Sequence, residues 1–91
     1  MSKVANYLKN QKKPFSIEDT GCVIVPIFDE IRKVNLDLME NEYVLDVYKN
    51  DKLVAMFNVW NDNSITLFIY RKQEDIDIND FDELEKALKS L

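Results

Sequence analysis

Residues 43–71 read YVLDVYKNDKLVAMFNVWNDNSITLFIYR, and the interpretation of this stretch decides the fold. Three runs, Tyr43–Lys49, Leu53–Trp60 and Ser64–Arg71, are rich in β-branched and aromatic residues. Such side chains fit a pleated, half-buried surface. Asn50-Asp51 and Asp62-Asn63 stand where hairpin turns belong. Both residue types tolerate the left-handed backbone of tight hairpins. The stretch therefore predicts three antiparallel strands in a meander. With two-residue turns, Val47 pairs with Val54, Leu45 with Met56 and Tyr43 with Asn58. On the other side Trp60 pairs with Ile65, Asn58 with Leu67 and Met56 with Ile69. One face then carries Tyr43, Leu45, Val47, Val54, Met56, Trp60, Ile65, Leu67 and Ile69. The opposite face carries Val44, Tyr48, Leu53, Ala55, Phe57, Val59, Phe68 and Tyr70, interrupted by Asp46 and Thr66. A sheet with one wet face alternates apolar and polar residues. Here both faces are largely apolar, so each requires a cover.

Working outward, Ser2 is placed to cap a helix running to about Lys12, with Val4, Ala5 and Leu8 on one face and Tyr7 beside them. Lys12 and Lys13 suit its C-terminal end, and Pro14 stops it. A turn is expected at Thr20-Gly21, because Gly21, the chain's single glycine, takes a positive φ without steric cost. Cys22–Phe28 reads as a β-rich run, with Pro26 placing it at an edge or a bulge. Residues 27–38 fit two descriptions: Ile27, Ile31, Val34 and Leu38 have helical spacing, while Val34, Leu36 and Leu38 alternate as in a strand. The alternation of Asn35 and Asp37 favours a strand over 33–38. At the C-terminal end, Asp80 and Glu83 form a capping-box pattern ahead of the apolar stripe Phe81, Leu84, Leu88 and Leu91. The expected fold is α+β, an antiparallel sheet of four to five strands flanked by an N-terminal and a C-terminal helix. Two helices cover one face of such a sheet, and the second face is left to the N-terminal connection, a homodimer contact or another partner.

The chain has 91 residues, which suits a single domain over 1–91. Its net charge is −5, which disfavours direct contact with nucleic acid or an anionic membrane. No stretch approaches the roughly 20 apolar residues of a membrane span, and no signal peptide opens the chain, so a cytoplasmic protein is expected. Cys22 is the one cysteine; in the run Cys22-Val23-Ile24-Val25 it reads as a buried thiol.

Catalytic patterns are not legible. The chain has no His, which removes the usual general base and metal ligand. One glycine cannot build a phosphate-cradling loop. The sequence thus predicts neither an enzyme nor a cofactor. Asp75-Ile76-Asp77-Ile78-Asn79 begins like a calcium-binding loop, but Asp80 stands where that loop needs Gly and Lys86 where it needs a bidentate Glu. A strand-like connection with Ile76 and Ile78 inward is the expectation, and no metal site.

Two surfaces remain as candidate binding sites. Residues 74–85 hold seven carboxylates and no base: Glu74, Asp75, Asp77, Asp80, Asp82, Glu83 and Glu85. A helix N-terminus favours acids, yet seven exceed what capping requires. If they converge they form a negative patch that steers the chain to a basic protein. Tyr48, Phe57, Phe68 and Tyr70 outline an aromatic interface. RNA-stacking sheets set aromatics among Lys and Arg, whereas Asp46 lies among these, which favours core or protein contact.

An acidic chain of this length, ordered helix, antiparallel strands, acidic helix, resembles the small inhibitors encoded by bacteriophages and mobile elements, of the anti-CRISPR and DNA-mimic type. Asn41-Glu42-Tyr43-Val44 entering the first central strand and the carboxylates before the last helix carry the likeness. It implies a protein that occupies a basic groove of a nuclease or defence complex and keeps nucleic acid out without catalysis. An immunity or antitoxin-type partner, or a structural homodimer, fits the same composition.

Overall fold

The computed structural model describes residues 2–27 and 43–91. The described chain runs helix α1 (Lys3–Lys9), strands β1 (Phe15–Ser16), β2 (Cys22–Ile27), β3 (Tyr43–Lys49), β4 (Lys52–Val59), β5 (Ile65–Ile69) and β6 (Glu74–Asp77), then helix α2 (Phe81–Lys89). The strands form one antiparallel sheet in sequence order β1-β2-β3-β4-β5-β6. The α+β expectation holds, with six strands among the described residues where four to five were expected. The additions are β1, whose two residues carry no period, and the four-residue β6, which the sequence predicts as a strand-like connection with Ile76 and Ile78 inward. Residues 28–42 lie outside the description, and with them Phe28, the choice between helix and strand at 27–38, and Asn41-Glu42.

Both helices begin as the sequence indicates. Ser2 Oγ accepts from the Ala5 N–H at 3.1 Å. α1 ends at Lys9, earlier than expected, and Lys12 Nζ reaches back to the Lys9 carbonyl at 3.3 Å. Asp80 caps α2, accepting from the Glu83 N–H at 2.8 Å, while Glu83 Oε1 accepts from the Asn79 N–H at 2.8 Å. Val4, Ala5 and Leu8 of α1 and Leu84, Ala87 and Leu88 of α2 are buried in one cluster with Ile24, Leu45, Val47, Phe57 and Leu67 of the sheet. Tyr7 joins the layers, meeting Phe15 at 5.8 Å and Phe81 at 5.5 Å, both edge-on.

The register of β4 departs from expectation, for two local reasons. The Asn50-Asp51 turn is a two-residue turn, with φ of 53° and 64° at its centre, and Lys49 pairs with Lys52 as expected. A bulge then inserts Val54: Tyr48 lies opposite Leu53, but Val47 lies opposite Ala55. At the other end the loop spans three residues, not two. Trp60 N–H bonds the Ser64 carbonyl at 2.9 Å, and Asn63 takes φ 69°, supported by Asp62 Oδ1 accepting from Ser64 N–H at 2.9 Å. Both changes slip β4 from Ala55 onward by one residue against its neighbours, which turns the side chains beyond the bulge over, while Lys52 and Leu53 keep their expected places. Ala55, Phe57 and Val59 therefore enter the helix-covered core, each at 0% exposure. Met56, Asn58 and Trp60 move to the opposite face, open in the sense that no described helix covers it, where Trp60 Nε1 donates to Thr66 Oγ1 at 3.2 Å.

Gly21 takes φ +74°, as expected, and leads into β2. Pro26 lies beyond the reach of β1, whose partners are Ile24 and Val23, so its missing N–H falls where β2 has no outer neighbour among the described residues.

Candidate functional site

The open face of the sheet shares its rows across strands. One row runs Val25, Asp46, Met56, Phe68, Asp75; the next runs Ile27, Val44, Asn58, Thr66, Asp77. Asp46 and Asn58, with Val44 beside them, are buried at its centre. The face is thus less uniformly apolar than the two-residue-turn register implied. Its periphery carries Val23, Leu53 and Tyr70, at 45%, 42% and 37% exposure. Val23 was not singled out in the sequence, although its alternation with Cys22 and Ile24 places it outward.

Of the four aromatic candidates, three share this face. Phe68 and Tyr70 meet edge-on at 5.3 Å, and Tyr48 lies between Val23 and Leu53. Phe57 does not belong with them. The slip of β4 buries it completely on the helix side, so it is a core residue and no interface residue. Where Val54 bulges, the end of the sheet opens a cleft of about 160 Å³ lined by Leu53, Val54, Ile69, Tyr70, Arg71 and Leu91. Lys49 Nζ donates to the Leu91 carbonyl at 2.6 Å nearby.

The seven carboxylates of 74–85 divide into two groups. Asp75 and Asp77 stand on the open face, opposite Phe68 and Thr66. Glu74, opposite Ile69, points to the helix side, where Asp80, Asp82, Glu83 and Glu85 belong to α2 and its cap. Three have local structural work: Asp80 and Glu83 close the helix start, and Glu85 pairs with Lys89 at 2.9 Å, which raises the Lys89 pKa. Glu74, Asp75, Asp77 and Asp82 are exposed and meet no cation among the described residues. The run is therefore a rim around the edge strand β6 and not a single convergent patch.

Cys22 is buried as expected, its Sγ within 3.5 Å of the Leu88 carbonyl. Burial pushes its thiol pKa up, against the smaller opposing pull of Lys49 and the Thr20 hydroxyl. Among the described residues no three His, Cys, Asp or Glu side chains come together as metal ligands. No described helix is long and apolar enough to cross a membrane. Comparison with protein-family models, with curated proteins and with solved structures finds no match for the chain.

Proposed function

We propose that the chain is a non-enzymatic, cytoplasmic protein-binding module that inhibits a nucleic-acid-binding protein, such as a nuclease of a defence complex, by occupying its basic groove. One observation carries this reading. Three exposed carboxylates of β6, Glu74, Asp75 and Asp77, meet no cation among the described residues, and two of them stand directly against Phe68 and Thr66 of the partly exposed open face. Capping and ion pairing account for Asp80, Glu83 and Glu85 only. Exposed apolar side chains, Val23, Leu53 and Tyr70, on the same face as exposed carboxylates give the mixed surface of a protein interface. The sign of the rim selects a basic partner and speeds the encounter. An immunity or antitoxin-type partner would use the same surface, and the identity of the captured protein separates the two.

The test is capture from bacterial lysate by the immobilised chain, eluted with rising salt, beside a variant carrying Asp75→Lys and Asp77→Lys. A basic protein held by the wild type, lost by the variant and unable to bind DNA while held is the expected result. Capture that survives the double reversal unchanged would falsify the reading.

A homodimer is the second reading, favoured by the exposure of Val23, Leu53 and Tyr70 on one face. It predicts self-association that persists in high salt and is abolished by Leu53→Lys.

A further inference from the structure

The edge of the sheet at β6 differs from the edge at β2. β2 is covered in part by β1, and the end without an outer neighbour among the described residues holds Pro26, which has no N–H to offer. β6 has no outer neighbour among the described residues, and Glu74, Asp75 and Asp77 are exposed. The direction of its main-chain groups follows from the ladder. Ile78 N–H bonds the Ile65 carbonyl at 3.0 Å. On the other side of β5, Tyr70 N–H bonds the Val54 carbonyl at 3.1 Å, so even-numbered β5 residues face β4 and odd-numbered ones face β6. Antiparallel strands alternate in this respect. Ile76 and Ile78 therefore spend their main-chain groups on β5, while the N–H and C=O of Asp75 and of Asp77 point outward.

We propose that the outer edge of β6 accepts an extended segment of the partner protein as an added strand, and that the segment carries Lys or Arg at two alternate positions facing Asp75 and Asp77. The inference rests on the reading of this region as a surface for a basic partner. Main-chain bonds from Asp75 and Asp77 supply the affinity, and cross-strand charge pairs supply the selection. The same carboxylates disfavour edge-to-edge pairing of two copies, which would bring like charges together across the new ladder. This edge, which has no outer neighbour among the described residues, is thus closed to itself and open to a segment of opposite charge.

The test uses the full chain, isotope-labelled for amide NMR, and an acetylated Val-Lys-Val-Lys-Val peptide. The expected result is that the Asp75 and Asp77 amides shift and gain exchange protection, while Ile76, already bonded to β5, gains none. Asp77→Lys weakens binding about fivefold. Asp77→Pro removes one outward donor and leaves the β5 ladder intact, so it weakens binding with the melting temperature nearly unchanged. A peptide N-methylated at the residues that face the edge does not bind, which keeps the test independent of how any variant folds. Equal binding of the N-methylated peptide, shifts confined to the open face or to α2, or no binding of the lysine peptide would overturn the proposal. Capture of a lysate protein that is lost with Asp75→Lys and Asp77→Lys but retained with Asp77→Pro would leave the basic-partner reading standing and remove strand addition alone.

Discussion

On the helix-covered face Ile24, Leu45, Val47, Phe57 and Leu67 are fully buried, whereas on the open face Val23, Leu53 and Tyr70 keep more than a third of their surface in solvent. The same strands supply both faces, so strand composition does not account for the difference. On one side α1 and α2 bring Leu8, Leu84 and Leu88 to exclude water. On the other, Asp46, Asn58, Thr66, Asp75 and Asp77 are interleaved with the apolar residues along the rows. The described helices thus cover one face, while the other keeps Val23, Leu53 and Tyr70 partly in solvent at its periphery.

This contrast can be broken from either side. The largest effect concerns the Cys22 thiol. Under native conditions its alkylation is suppressed on the order of a thousandfold relative to the unfolded chain, for a domain of about 5 kcal/mol stability. Its folded pKa is raised, so the stability it contributes is fully present below the ordinary thiol range and is lost as pH rises through the raised value. Urea unfolding of wild type and Cys22→Ala across that range checks the sign: the alkaline loss of stability becomes shallower in the variant.

Next comes Phe57→Ala, which removes a fully buried ring and costs about 3–5 kcal/mol in urea denaturation. Phe68→Ala, on the open face, loses partial burial and the edge-on contact with Tyr70 and costs about 1 kcal/mol. Equal losses from the two would mean that the faces are equivalent. Asp80→Ala removes the α2 cap and costs about 1 kcal/mol in thermal unfolding, without changing the open face. The smallest change is Leu53→Lys, which stays within about 0.5 kcal/mol of wild-type stability because the side chain is already exposed. A larger loss would show that the rim of the open face is structural.

Much of this was legible locally. The Ser2 and Asp80 caps, the Gly21 turn and the three central strands each follow from short-range chemistry that acts within four residues. The turn at Asn50-Asp51 was also readable, since both residues accept positive φ. The bulge at Val54 was not, because it lies beyond the turn and no local signal marks it. One clue was present: the two-residue-turn register set Asn58 between Tyr43 and Leu67, an amide in the middle of an otherwise apolar face. The slip exchanges the two: Phe57 enters the helix-covered core, and Asn58 passes to the opposite face, where it is buried opposite Val44. The aromatic candidates suffered from the same slip, since three belong together and Phe57 does not.

The acidic run shows a similar division. Its charge, its lack of bases and its use of Asp80 and Glu83 as a cap were fixed by sequence. Its separation into two carboxylates on the open face and five on the helix side was not, because that depends on β6 joining the sheet with Leu67 opposite Ile76. Local sequence determined which segments become strands and helices and where the helices start, since caps, turns and side-chain period act over a few bonds. Tertiary structure decided the register of β4, the membership of the core and the outward direction of the Asp75 and Asp77 main chain. Those depend on which pairing of the strands buries the most apolar surface beneath the helices, a comparison that only the assembled sheet and helices can make.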